Sequence, residues 1–259
     1  MKRALSLLAF VSLLACNGDD AAPVTARTDA GAPQAPAHDL GLADSTVVCK
    51  TCSPALLAAK RKGIRLAMLL LPAYAGSDVR AANAPVTFHL DGDDLCGTAD
   101  EMRRTYGFVT GKCTIDPTGR AHVCLFDVEK DDRAQPFTPA NARLLTDQVL
   151  PLHEATHLWL IGRVADERAY EPFAKMVSLA LSGSMPDACA FRVAGGVDQL
   201  VAALCDAGMT AADLPDVLRL LDVASRAKGA ALTNAELASV VSAVIGGDAT
   251  PAFRAAGLL

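Results

Sequence analysis

The chain has 259 residues, with 24 Lys and Arg against 29 Asp and Glu, a net charge of -5. That balance offers no basic footprint and excludes nucleic acid as the expected partner. At 51% apolar residues it can build a sizeable core, yet no stretch beyond the amino terminus reaches membrane-spanning length.

Residues 1–16 read as an export signal. Lys2 and Arg3 make a basic start, residues 4–14 an apolar run too short to span a bilayer, and Leu13-Leu14-Ala15-Cys16 a small-residue site. The cysteine at that position resembles the lipobox of bacterial lipoproteins, which implies cleavage and acylation at Cys16. The expected location is therefore the bacterial cell envelope, exported and held to a membrane by lipid. Residues 17–45, rich in Ala, Pro, Asp and Gly, bury too little to offset chain entropy and are expected to form a tether. Residues 46–259 then make one domain.

Seven cysteines follow Cys16, and in an exported chain disulfides are their default state. Cys49-Lys50-Thr51-Cys52 has redox or zinc-knuckle spacing, but with no second such pair and no nearby His a structural disulfide is expected. Ser53-Pro54 opens a helix expected to end near Leu71, before Pro72. Residues 86–90 form a strand and residues 99–105 a short helix. Asp116-Pro117-Thr118-Gly119 is a turn between strands 111–115 and 121–128, a hairpin that sets Cys113 opposite Cys124 as a disulfide pair. Thr138-Pro139 starts a further helix, with Pro151 marking a kink or a fresh start, and Gly162 closes it. Asp166 caps the next helix, which runs to Leu181. From about residue 172 the chain reads as helical, with capping boxes at Thr210/Asp213 and Thr233/Glu236 and a last start at Thr250-Pro251.

His153-Glu154-Ala155-Thr156-His157 is the feature that points to chemistry. Four-residue spacing stacks His153 and His157 on one helix face, where two imidazole nitrogens can hold one metal ion. Glu154, one position round, can act as general base on a water at that ion. The uncharged flanks Leu152, Ala155, Thr156, Leu158, Trp159, Leu160 and Ile161 predict a buried helix. Three ionisable groups there are costly without a cation to pair with. A catalytic zinc site needs a third ligand. Asp166, Glu167 and Glu171 are the candidates; Glu167 and Glu171, four apart, share a helix face.

His-Glu-x-x-His followed by Glu171-Pro172-Phe173-Ala174 resembles the gluzincin metallopeptidases, whose third ligand often heads a Glu-Gly-Phe-Ala segment. The resemblance covers about residues 153–176. It implies Zn2+ on His153, His157 and Glu171, with Glu154 as the base. Asp166 lies at the distance from His157 resembling the aspartate-ligand zinc endopeptidases, and Glu167 remains a third choice. Tyr170 is the tyrosine nearest to the motif and the candidate second donor for an oxyanion, set against an ordinary role as a packed aromatic.

The expected fold is α+β and zincin-like: a small antiparallel sheet, an active-site helix and a mostly helical C-terminal part. In such folds a sheet edge holds the peptide substrate in extended form, a role open here to strand 121–128. The expected function is a membrane-tethered zinc metallopeptidase acting on peptides or proteins. The competing expectation is an inactive zincin-like envelope lipoprotein that serves as a binding or structural module.

Overall fold

The structure is a computed structural model, and it describes residues 37–39, 45–49, 52–77, 86–90, 107–109, 121–125, 150–181 and 197–259. Cys16, the helix expected at 99–105, the first part (138–149) of the helix expected from 138, and Cys113 lie outside these residues. Among them, five strands form one sheet: β1 (Ala37–Asp39), β2 (Ser45–Cys49), β3 (Val86–Leu90), β4 (Gly107–Val109) and β5 (Ala121–Leu125). Their order is β1-β2-β3-β5-β4. The sheet begins at Ala37, inside the stretch read from sequence as tether.

The antiparallel expectation needs correction at the sheet's centre. β2 runs parallel to β3, and β3 runs parallel to β5; only the outer pairs, β1 with β2 and β4 with β5, are antiparallel. The cause is covalent. Between β2 and β3 lies α1 (Pro54–Ala75), 22 residues long, and a helical crossover returns the chain in the same direction, whereas a tight turn reverses it. β3 is buried along its whole length, as a central parallel strand covered on both faces should be. Register puts Val47, Phe88 and Val123 on one face and Cys49, Leu90 and Leu125 beside them. All six are buried in the common core with the helices.

Among the described residues the strand paired antiparallel with β5 before the motif helix is β4, with Phe108 opposite Cys124; the strand expected at 111–115 lies outside the described residues. The pairing of Cys124 with Cys113 falls outside the described residues. Cys49 and Cys52 are joined, as the spacing suggested, with a Cα–Cα distance of 5.8 Å. Cys205 is disulfide-bonded too.

Helix α1 starts at Ser53-Pro54 as expected, with the Leu57 amide donating to the Ser53 carbonyl at 2.9 Å. It does not stop at Pro72 but continues to Ala75. Leu71 and Ala75 are fully buried on either side of the proline, and the Tyr74 hydroxyl donates to the Ala211 carbonyl at 3.1 Å. Those contacts offset the hydrogen bond that proline removes.

The motif helix α2 (Leu150–Leu160) packs between α1 and α3 (Tyr170–Leu181) and lies against β4 and β5. Pro151 sits in its first turn, where the missing N–H costs nothing. Gly162, at φ 76°, ends it in the left-handed conformation. A 3-10 turn at Glu167–Ala169, capped by Asp166, leads into α3. The elements in the described residues beyond α3 are all helices: α4 (Val197–Asp206), α5 (Leu214–Lys228), α6 (Asn234–Ile245) and α7 (Thr250–Ala255). The capping box of Thr233 with Glu236 is present on α6. At the other expected box, both the amide and the hydroxyl of Thr210 donate to Asp213 at 2.7 Å. The helix there begins one residue after Asp213, so this is a turn that precedes the cap.

Candidate metal centre

Every residue of α2 except His157 is buried. Its flanks are apolar because α1, α3 and the sheet cover it, and the three ionisable side chains of the motif are carried into that interior by helix geometry alone. His153 and Glu154 are each 1% exposed. His157 is the partly open member, with 11% of its side chain accessible, so the site is reached from the His157 side.

Three side chains converge. His153 Nε2 lies 2.9 Å from His157 Nε2 and 3.2 Å from Glu171 Oε2. His157 Nε2 lies 3.2 Å from the same oxygen. Donors bonded at about 2.0–2.1 Å to a tetrahedral ion stand about 3.3 Å apart. The observed triangle is within a few tenths of an ångström of that spacing. Among the described residues, this is the group of His, Cys, Asp and Glu side chains that could hold a metal ion.

The electrostatics agree with the geometry. Burial pushes Glu171 up, but the charge and hydrogen bond of His153, followed by those of His157, outweigh it and hold the carboxyl far below the ordinary range. Glu171 is therefore an anion buried among nitrogens, with Oε1 lacking any partner. Glu154 goes the other way. Burial raises it to about 8, the charge of His157 pulls it down, and that of Glu171 pushes it up. Its Oε2, and Nδ1 of His153, are also buried without hydrogen bonds. Two imidazoles and a carboxylate turned toward one point, beside an unpaired carboxyl oxygen, suit a divalent cation.

Of the three carboxylates considered as third ligand, Glu171 is the one that stands beside both histidines. Glu171 is buried on the face of α3 toward α2. Asp166 instead caps the 3-10 turn, accepts from Arg168 Nη2 at 2.6 Å and from Asn234 Nδ2 at 2.6 Å, and is not directed at the histidines. Glu167 is exposed. Pro172 does not disturb Glu171, because it falls in the first turn of α3.

Tyr170 lies near His157, with ring centroids 6.3 Å apart and the rings tilted by 51°. Its hydroxyl donates to the Val164 carbonyl at 2.9 Å, so in this arrangement the phenol ties down the α2–α3 loop. The edge strand also changes identity. β5 lies between β3 and β4 with both sides paired, so the outer strand next to α2 is β4.

Sequence reasoning did not find what holds that loop. Arg163 Nε donates to Asp222 Oδ1 at 2.8 Å, its Nη1 donates to the Trp159 carbonyl at 2.6 Å, and its guanidinium lies 4.5 Å over the Trp159 ring. Ala165 donates to the Leu232 carbonyl and Leu232 to the Arg163 carbonyl, each at 2.8 Å. Only the four-residue spacing of Trp159 and Arg163 could have hinted at this. Asp222, 59 residues on, gives no local sign.

No protein-family model matches the chain, and neither the curated proteins nor the solved structures give a match. The case for function rests on the site itself.

Proposed function

We propose that this protein is a membrane-tethered zinc metallopeptidase of zincin-like fold. The observation that carries the reading is the convergence of His153, His157 and Glu171 beside the buried carboxyl of Glu154, whose Oε2 has no hydrogen-bond partner. A zinc ion held by those three residues would supply Lewis acidity, acidifying a water and polarising a carbonyl. A purely structural centre has no use for a fourth ionisable group buried beside it with Oε2 unpartnered.

The chain's own residues then divide the work. His153 and His157, fixed by one helix, and Glu171, fixed by a second, would hold the ion, and His157 is the partly accessible member of the three. Glu154 takes a proton from the attacking water at its carboxylate and returns it to the leaving amine. Its surroundings favour the protonated form, and a nearby divalent charge would favour the ionised one, so proton uptake and release are both within reach. The β4 edge beside α2 suits an extended peptide added as a further strand. The acylated Cys16 would keep the enzyme at a membrane of the cell envelope.

One observation favours the alternative of a binding module that does not turn over. The Tyr170 hydroxyl is committed to Val164, and a second oxyanion donor has to come from elsewhere. The test is hydrolysis of a mixed peptide library by zinc-loaded protein and by Glu154→Gln. Cleavage by the wild type that falls at least about a hundredfold in the variant supports the peptidase. Full zinc occupancy with no cleavage by either supports the binding module.

A further inference from the structure

Helix α1 has a second face that neither the core nor the site uses. Its buried side, Ile64, Ala67, Leu71 and Ala75, meets the core, and the helix packs against α2. On the opposite side Ala58, Lys62, Arg65, Leu66, Leu69 and Ala73 are exposed, with Leu66 at 41% and Leu69 at 51%. Among the described residues, four of the five exposed large apolar side chains, Leu66, Leu69, Leu220 and Val223, lie on α1 and α5, two helices that pack on each other. α1 contains no acidic residue, and of its basic residues Lys62 and Arg65 are on the exposed face while Lys60 is buried, in a chain of net charge -5. Exposed leucines beside lysine and arginine on one helix face are the composition of an interfacial surface, in which apolar groups enter the headgroup region and cations meet anionic lipid.

Chain length favours a bilayer as the occupant. Only residues 17–36 separate Cys16 from Ala37, the first residue of β1. Even fully extended they reach at most about 70 Å. A domain held by lipid at Cys16 is therefore confined to a shallow layer above the membrane, where a weak patch meets lipid at high effective concentration.

We propose that the exposed face of α1 lies against an anionic lipid bilayer and orients the domain on it. This rests on the lipid-anchored reading of Cys16. The metal-centre residues lie on α2 and α3 and contribute nothing to this face.

The test uses residues 17–259, which hold every described element and carry no acyl chain, with vesicles of phosphatidylglycerol and phosphatidylethanolamine, or of phosphatidylcholine alone. The protein should co-sediment with the anionic vesicles, release at high salt, and ignore the neutral ones. Lys62→Glu with Arg65→Glu should weaken binding roughly thirtyfold or more. Leu66→Gln with Leu69→Gln should weaken it too, with melting temperature and metal content unchanged in both. Equal binding to neutral vesicles, or variants that bind like wild type, overturns the proposal. So does a leucine variant that changes a dimer to a monomer in light scattering while vesicle binding stays the same. Mass spectrometry of the envelope-extracted protein tests Cys16 separately. Acylated Cys16 without vesicle binding defeats the α1 proposal alone, whereas vesicle binding with unmodified Cys16 defeats the anchor alone.

Discussion

The loop between α2 and α3 joins the helix of the two histidines to that of Glu171, and Asp222 is one of its external anchors, with Leu232 and Asn234. Asp222 is 2% exposed and pairs with both Arg163 and Arg226. Removing one member of a buried ion pair costs about 3–5 kcal/mol, because the other charge is left behind. The Arg163 side chain is 13% accessible and that of Arg226 69%. Water therefore recovers part of the loss, and Asp222→Ala should cost about 3 kcal/mol. For a domain of this size each kcal/mol lowers Tm by about 2–4 °C, so calorimetry should show a drop of about 6–12 °C. A double-mutant cycle with Arg163→Met should give a coupling of about 1–3 kcal/mol. Metal affinity should fall along with stability. A melt within about 2 °C of wild type, or a coupling near zero, would refute the claim that this pair fastens the loop.

Three further outcomes follow from the same reasoning. Thr233→Ala removes the hydroxyl that accepts from the Glu236 amide and should cost about 1 kcal/mol in urea unfolding with an unchanged m-value. In the metal-free protein Glu154, raised to about 8 from 4.5, is protonated when folded but ionised when unfolded between those values. Its contribution is present below about 4.5 and lost as pH rises through about 8, so Glu154→Gln should match wild type near pH 4.5 and be the more stable protein above pH 8. Glu236, held down to about 2 by the Lys228 hydrogen bond and then by Thr233, has the opposite sign. Its support is present above about 4.5 and fades toward pH 2, and Glu236→Gln should flatten the acid limb of the stability profile.

What could be read from sequence and what could not separates along physical lines. The His153/His157 face, the burial of α2, the Gly162 stop and the Asp166 cap each depend on residues within a turn of one another. Local geometry determines them. The choice of Glu171 was open because three carboxylates lie within six positions, and only the packing of α3 on α2 decides which one turns inward. The parallel centre of the sheet depends on which strands become neighbours after α1 crosses over, and no single strand encodes that. Pro72 misled for a related reason: local propensity argues for a stop, while the buried contacts of Leu71 and Ala75 carry the helix through. The Arg163–Asp222 pair is invisible because its partners are brought together only by the helical part folding back on the loop.

Metal content is the most direct test of the central claim. Protein stripped with chelator and then exposed to limiting zinc should retain one ion per chain by elemental analysis. His157→Ala and Glu171→Gln should each lose that ion, while Glu167→Gln and Asp166→Asn should keep it. If the stripped wild type takes up no zinc, or Glu171→Gln binds it as tightly as wild type, His153, His157 and Glu171 are not a metal centre, and the peptidase reading falls with them.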